Sequence, residues 1–189
     1  MIMYDTGDLN KARTSYEIAR RAIALHCVIA AAHGVPREEI SEWLEQEHLW
    51  DEITPRELAF FNQDEHPKKE IIWMTWLVEA QVSLLWSIGK LEKLPSLIHP
   101  CDTGLIIANM PNLFDKTSYF INSSVLRNTI EIDQELDVIY DAHCRVNQAV
   151  RDGEAISESY KNVIFFRHYG FNWVSGYCGQ SWDEVTPDT

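Results

Sequence analysis

Apolar residues recur every three or four positions through two long segments of this chain, and that period commits each to one face of an α-helix. In the first, Ala12, Tyr16, Ala19, Ile23, Cys27 and Ala30 carry the period from about Leu9 to His33, and Gly34 with Pro36 provides the stop. In the second, Ile132, Leu136, Ile139, Tyr140, His143, Val146 and Val150 carry it to Gly153, behind a cap predicted at Asn128 with Glu131. Between them, Pro36 opens an acidic helix through Glu47 with Ile40, Trp43 and Leu44 as its apolar stripe. Thr54, Pro55 and Glu57 form a Thr-x-x-Glu capping box with proline at the first helical position, which predicts a short helix over Glu57 to Phe61. Pro67 opens a longer one that Gly89 ends. Ser157 to Val174 is apolar nearly all round, as a central buried helix would be, although the cluster Val163 to Phe166 leaves a strand open. Leu94 to Ser123 is broken by Pro95, Pro100, Gly104, Pro111 and Asn112, which predicts a loop with short helical turns. The expected fold is all-α: a single helical domain over residues 1–189, a bundle of about six helices with a long irregular connection around residues 94–123.

The hexapeptide Trp-Asp-Glu-Ile/Val-Thr-Pro occurs twice, at Trp50 to Pro55 and at Trp182 to Pro187. The first copy leads into the capped helix, while only Asp188 and Thr189 follow the second. The echo therefore reads as reused turn-and-cap chemistry with a tryptophan anchor, and not as a solenoid repeat. An ordered tail is expected, because Trp182 is poorly placed in water. Glu79 and Arg167 are charges inside apolar stretches, where each needs a partner. The structural account is a buried ion pair or hydrogen bonds to the C-terminal tail, for instance Arg167 with Asp183 or Asp188; the functional account makes Glu79, Arg167, His168 and Asp183 the polar anchors of a pocket.

Sixteen basic against twenty-nine acidic residues give a formal charge of −13, which repels phosphate backbones and anionic lipid and excludes nucleic acid as an expected direct partner. The hydrophobic fraction of 46% and the seven tryptophans argue for a packed globule. Cys27, Cys101, Cys144 and Cys178 contain no C-x-x-C pair, so neither a zinc knuckle nor a disulfide framework is signalled. Met1 to Asn10 lacks the basic-then-apolar order of a signal peptide, and a cytoplasmic home is expected. The most apolar run, Ile71 to Ile88, carries Thr75, Glu79 and Gln81, and fits a buried helix better than a membrane span.

Several blocks taken in order resemble a known family: Leu49-Trp50 with Thr54-Pro55-Arg56-Glu57-Leu58, then Trp76-Leu77-Val78-Glu79-Ala80 leading to Leu85-Trp86-Ser87-Ile88-Gly89. Arg167-His168, Asn172-Trp173 and the tail Trp182-Asp183-Glu184-Val185 with Asp188-Thr189 complete the set. Over most of its length the chain resembles the family called domain of unknown function 4272. The resemblance implies a helical cytoplasmic domain and carries no activity with it. The family pattern places a glutamate directly before the Arg-His pair, where this chain has Phe166.

Function must then be argued from sites. From Glu38 to Glu70 there are eleven carboxylates against Arg56, Lys68 and Lys69. Such runs are commonly a solvated face that aids solubility. The functional reading is a docking surface, with Glu38, Glu42, Glu45, Asp51 and Glu52 steering a basic protein partner to it. The leading expectation is a non-enzymatic protein-binding domain, most concretely an immunity or antitoxin-like neutraliser of a basic toxin, with no cofactor, metal or catalytic residue assigned. One rival is a helical hydrolase. It would use either Arg21 and His26 in the Arg-x4-His spacing of HEPN-type ribonucleases, or a metal held by His26, Glu79, His143 and His168. No His-x-x-x-His or Glu-x-x-His spacing fixes two such ligands on one face. The other rival is a small-ligand sensor pocket lined by tryptophans.

Overall fold

Thr14 starts the first helix through a reciprocal capping box, its hydroxyl accepting from Glu17 N while the Glu17 carboxylate accepts from Thr14 N. The computed structural model describes residues 11–189. Helix α1 therefore begins at Ser15, later than the apolar period alone predicts, and runs to Ala32. Part of that predicted start, and the whole Met1 to Asn10 segment, lie outside the described residues.

The remaining helices are α2 (Arg37–Gln46), α3 (Pro55–Phe61), α4 (Lys68–Ser87), α5 (Thr103–Ala108), α6 (Ser118–Asn122), α7 (Thr129–Arg151) and α8 (Glu158–Ser175). Among the described residues there is no strand, so the architecture is all-α. Six helices have seven residues or more, and the two short ones, α5 and α6, punctuate the irregular connection. The Thr54–Glu57 capping box is present in both directions, and Gly89 ends α4 at φ +73°. At α7 only half of the predicted box forms. Asn128 accepts from Ile130 N at 2.9 Å, while Glu131 turns to Arg127 at 3.6 Å. The strand alternative for Val163 to Phe166 fails because Ser157 caps the segment as a helix, and burial on nearly every side satisfies its apolar residues without a sheet.

Helix α4 lies between α1 and α8, and α7 covers the other side of α8. The approach of α8 to α4 depends on Gly170, where an added Cβ would come within 2.7 Å of Ala80 O. The core that results contains Ile18, Leu25, Leu44, Leu77, Leu84, Phe171 and Trp182. Both Trp-Asp-Glu triplets form 3₁₀ turns, Trp50–Glu52 and Trp182–Glu184, so the repeated sequence adopts a repeated conformation. No helix among the described residues is long and apolar enough to cross a membrane.

Candidate functional site

Ile40, Trp43 and Leu44 turn one face of α2 into the core, and this leaves Glu38, Glu42 and Glu45 exposed on the other. None of the three makes an ion pair among the described residues, and Asp51 is exposed as well. Glu52 is not part of that free surface. It is half-buried and held by Arg20 Nε at 2.6 Å. Other members of the acidic run are also committed inside the molecule. Glu47 accepts from Thr117 N at 2.9 Å and Lys116 Nζ at 2.7 Å, Glu70 pairs with Arg56 at 2.9 Å, and buried Glu57 pairs with Arg21. The docking candidate therefore contracts to the outer side of α2 and Asp51.

The proposed polar site of Glu79, Arg167, His168 and Asp183 is not one site. Glu79 and Arg167 do meet: both are fully buried, and Arg167 Nε donates to Glu79 Oε2 at 2.9 Å. Arg167 Nη1 donates to Pro95 O, and Glu79 Oε1 accepts from Cys101 N at 2.6 Å. The pair thereby ties the irregular connection to α4 and α8. Burial, followed by the Glu79 charge, pushes the Cys101 thiol up to about 12, so it stays neutral. Arg167 Nη2 is buried without a hydrogen-bond partner in the protein.

The tail supplies neither carboxylate to Arg167, which corrects the pairing predicted from sequence. Asp183 Oδ2 accepts instead from Arg56 N at 3.0 Å, so the second copy of the hexapeptide caps the helix that the first copy launches. Order in the tail comes from Trp182, which is 4% exposed. Its ring meets Tyr169 and Trp173 edge-on at 5.0 and 5.4 Å, and the Arg21 guanidinium lies over it at 4.9 Å. Tyr169 Oη donates to Trp182 O. Arg21 is thus bound to Glu57, to Glu52 O and to the Trp182 ring, which makes the Arg21–His26 pair a structural residue beside a cleft residue.

His168 belongs with His143. Their Nδ1 atoms are 2.9 Å apart, so one ring donates and the other, which must be neutral, accepts. Burial, then the neighbouring His143, lowers His168 to about 4, and burial lowers His143 too. Also at the pair are Tyr140, Phe165, the Asp188 carboxylate and the Asn172 side chain, the last two acting in the opposite direction on His168. The four histidine and carboxylate candidates for a metal are therefore split three ways, and no group of three or more His, Cys, Asp or Glu suited to a metal occurs among the described residues. Because the folded-state pKa lies below the unfolded value, protons favour unfolding; the stability is full above about pH 6.5 and is lost as pH falls toward about 4. Unfolding free energy from urea titrations is expected to drop by about 2 kcal/mol between about pH 7.5 and about pH 5, and His168→Gln should remove the larger part of that slope.

The model of the family described as a domain of unknown function, DUF4272, matches residues 2–185 of the 189. The chain belongs to the DUF4272 family. No curated protein and no solved structure matches it.

In this DUF4272 chain the residues that sequence reasoning missed are partners from the irregular connection, Pro95 O and Cys101 N, because a backbone group leaves no trace in residue identity. Gln81 was visible as a polar residue in the apolar run Ile71 to Ile88. It is fully buried on α4, and Gln81 Nε2 donates to Ala22 O at 3.1 Å, joining α4 to α1.

Proposed function

We propose that this DUF4272 chain is a non-enzymatic cytoplasmic protein-binding domain that docks a basic protein on the outer face of α2, neutralisation of a basic toxin being the most concrete form. The observation that carries this reading is the set Glu38, Glu42 and Glu45, which stand exposed and free of ion pairs on a helix anchored by Trp43. Spacings of four and three residues put the carboxylates on one side of the helix, and a rigid helix presents them without the entropy of ordering a loop. Their field adds to that of a chain with charge −13, which raises the encounter rate with a cationic partner. Trp43 Nε1 donates to Asp115 O at 3.0 Å, and this bond steadies the helix from the irregular connection.

Affinity capture from the native host tests the reading when done in parallel with wild type and with Glu38→Lys/Glu42→Lys/Glu45→Lys. The exposed substitutions should leave folding unchanged. Wild type is expected to retain a basic protein in stoichiometric amount, and the triple variant to lose most of it at low salt. Equal recovery on both would remove α2 as the docking surface.

A further inference from the structure

A cleft of about 440 Å³ opens between α1, α4 and α5, a size within the range of small-molecule sites. Its walls are apolar, with Val78, Ile106, Ile107 and Leu113 among them, and no Asp, Glu, Lys or Arg lines it. A cation would find no carboxylate there, an anion would find only the imidazoles of His26 and His33, and leaving water for such walls would be costly. Two polar atoms under this wall are left unsatisfied. Gln81 Oε1 and His26 Nδ1 are buried and the two side chains lie close enough to interact, yet neither atom completes a hydrogen bond of normal geometry within the protein.

The chemistry of each atom is fixed by its surroundings. Gln81 Nε2 donates to Ala22 O, so the amide is oriented and Oε1 faces away as an acceptor that needs a donor. Burial lowers the His26 pKa, with Gln81 acting in the opposite direction, so the imidazole is neutral near physiological pH and carries one N–H. His26 is half-buried and lines the cleft beside Gln81. A hydroxyl is the smallest group that donates to Oε1 and accepts from an imidazole N–H at once, and by bridging the two side chains it would complete the bonding that they leave unfinished between themselves. The exposed Ile107, at 59%, sits at the rim and offers further apolar contact to whatever enters.

We propose that this cleft binds an uncharged, mostly apolar molecule carrying a hydroxyl group, of the class of phenols and medium-chain alcohols, with Gln81 and His26 as its polar anchors. The site is separate from the α2 surface, and its occupancy needs no protein partner.

The test uses the purified full chain with phenol, 1-hexanol, toluene and hexanoate as probes. Binding is followed by thermal shift and by the NMR signals of the His26 ring and the Gln81 side-chain amide. Phenol and 1-hexanol are expected to bind saturably and move both sets of signals, toluene to bind about tenfold more weakly, and hexanoate not to bind. Gln81→Leu should bring phenol down to the affinity of toluene while leaving toluene unchanged. Ile107→Trp, at an exposed position that folding does not need, should block all three neutral or apolar probes. The proposal is overturned if no probe binds saturably, if hexanoate binds as well as phenol, or if phenol binding survives both substitutions.

Discussion

Glu79→Ala is expected to lower the unfolding free energy by about 3–5 kcal/mol, the cost of leaving a buried charge without its partner. Arg167 is 0% exposed and its Nε donates to Glu79, so the substitution strands a guanidinium that water cannot reach. The loss goes further than the ion pair. Glu79 Oε1 is also the acceptor for Cys101 N, and that bond holds one end of the irregular connection against α4. Replacing both charges together, as Glu79→Leu/Arg167→Leu, should recover a large part of the loss, because apolar side chains of similar volume need no counter-charge. Recovery should stay incomplete, since Pro95 O and Cys101 N lose their partners in the double variant as well. Urea unfolding midpoints of the wild type, Glu79→Leu, Arg167→Leu and the double variant supply the full cycle. A single-variant loss below about 1 kcal/mol would mean that the pair is not buried as described.

Deleting residues 180–189 is expected to cost about 3–5 kcal/mol and to lower the thermal midpoint by about 10 °C. Trp182 fills the space beside Tyr169 and Trp173, and its removal leaves that space empty. Further groups lose partners, among them the Tyr169 hydroxyl, the Arg56 backbone N–H, the Arg21 guanidinium face, Arg13 Nη2 and Asn172 Nδ2. Trp182→Ala in the full chain separates the contributions, because it keeps the Asp183 cap while removing the ring. It should account for most of the loss. An unchanged midpoint for the truncated chain, measured by calorimetry, would contradict the packing of the tail.

The helices were legible wherever a local signal agreed with a local outcome. The Thr54–Glu57 box, the stop at Gly89 and the period from Ile132 to Val150 all depend on residues within one or two turns, and each appears as read. The start of α1 was misplaced because apolar spacing continues past the point where Thr14 and Glu17 close the cap. The ordered tail was legible from Trp182, but its bonding was not. Asp183 and Asp188 were the carboxylates named for Arg167, and Glu79 takes it instead through the close passage of α8 over α4 at Gly170, which no local pattern encodes. The acidic run shows the same division. The spacing of Glu38, Glu42 and Glu45 gave their common side of α2, whereas the capture of Glu52 by Arg20 and of Glu47 by Thr117 joins residues far apart in sequence. Gln81 stood out in its apolar run, but its pairing with Ala22 O and its place in a cleft depended on how α1 meets α4.

The claim that α2 is a docking surface is tested most directly by the association rate of the captured partner, measured for wild type and for Glu38→Lys/Glu42→Lys/Glu45→Lys across a range of salt. The account predicts a wild-type rate that falls steeply as salt rises, because exposed carboxylates act by steering and are screened within about 10 Å at about 0.1 M salt. In the triple variant the low-salt rate should drop by at least about tenfold and its salt dependence should flatten or reverse. Equal rates and equal salt dependence for the two proteins would contradict the account and leave the α2 carboxylates as a solvated face.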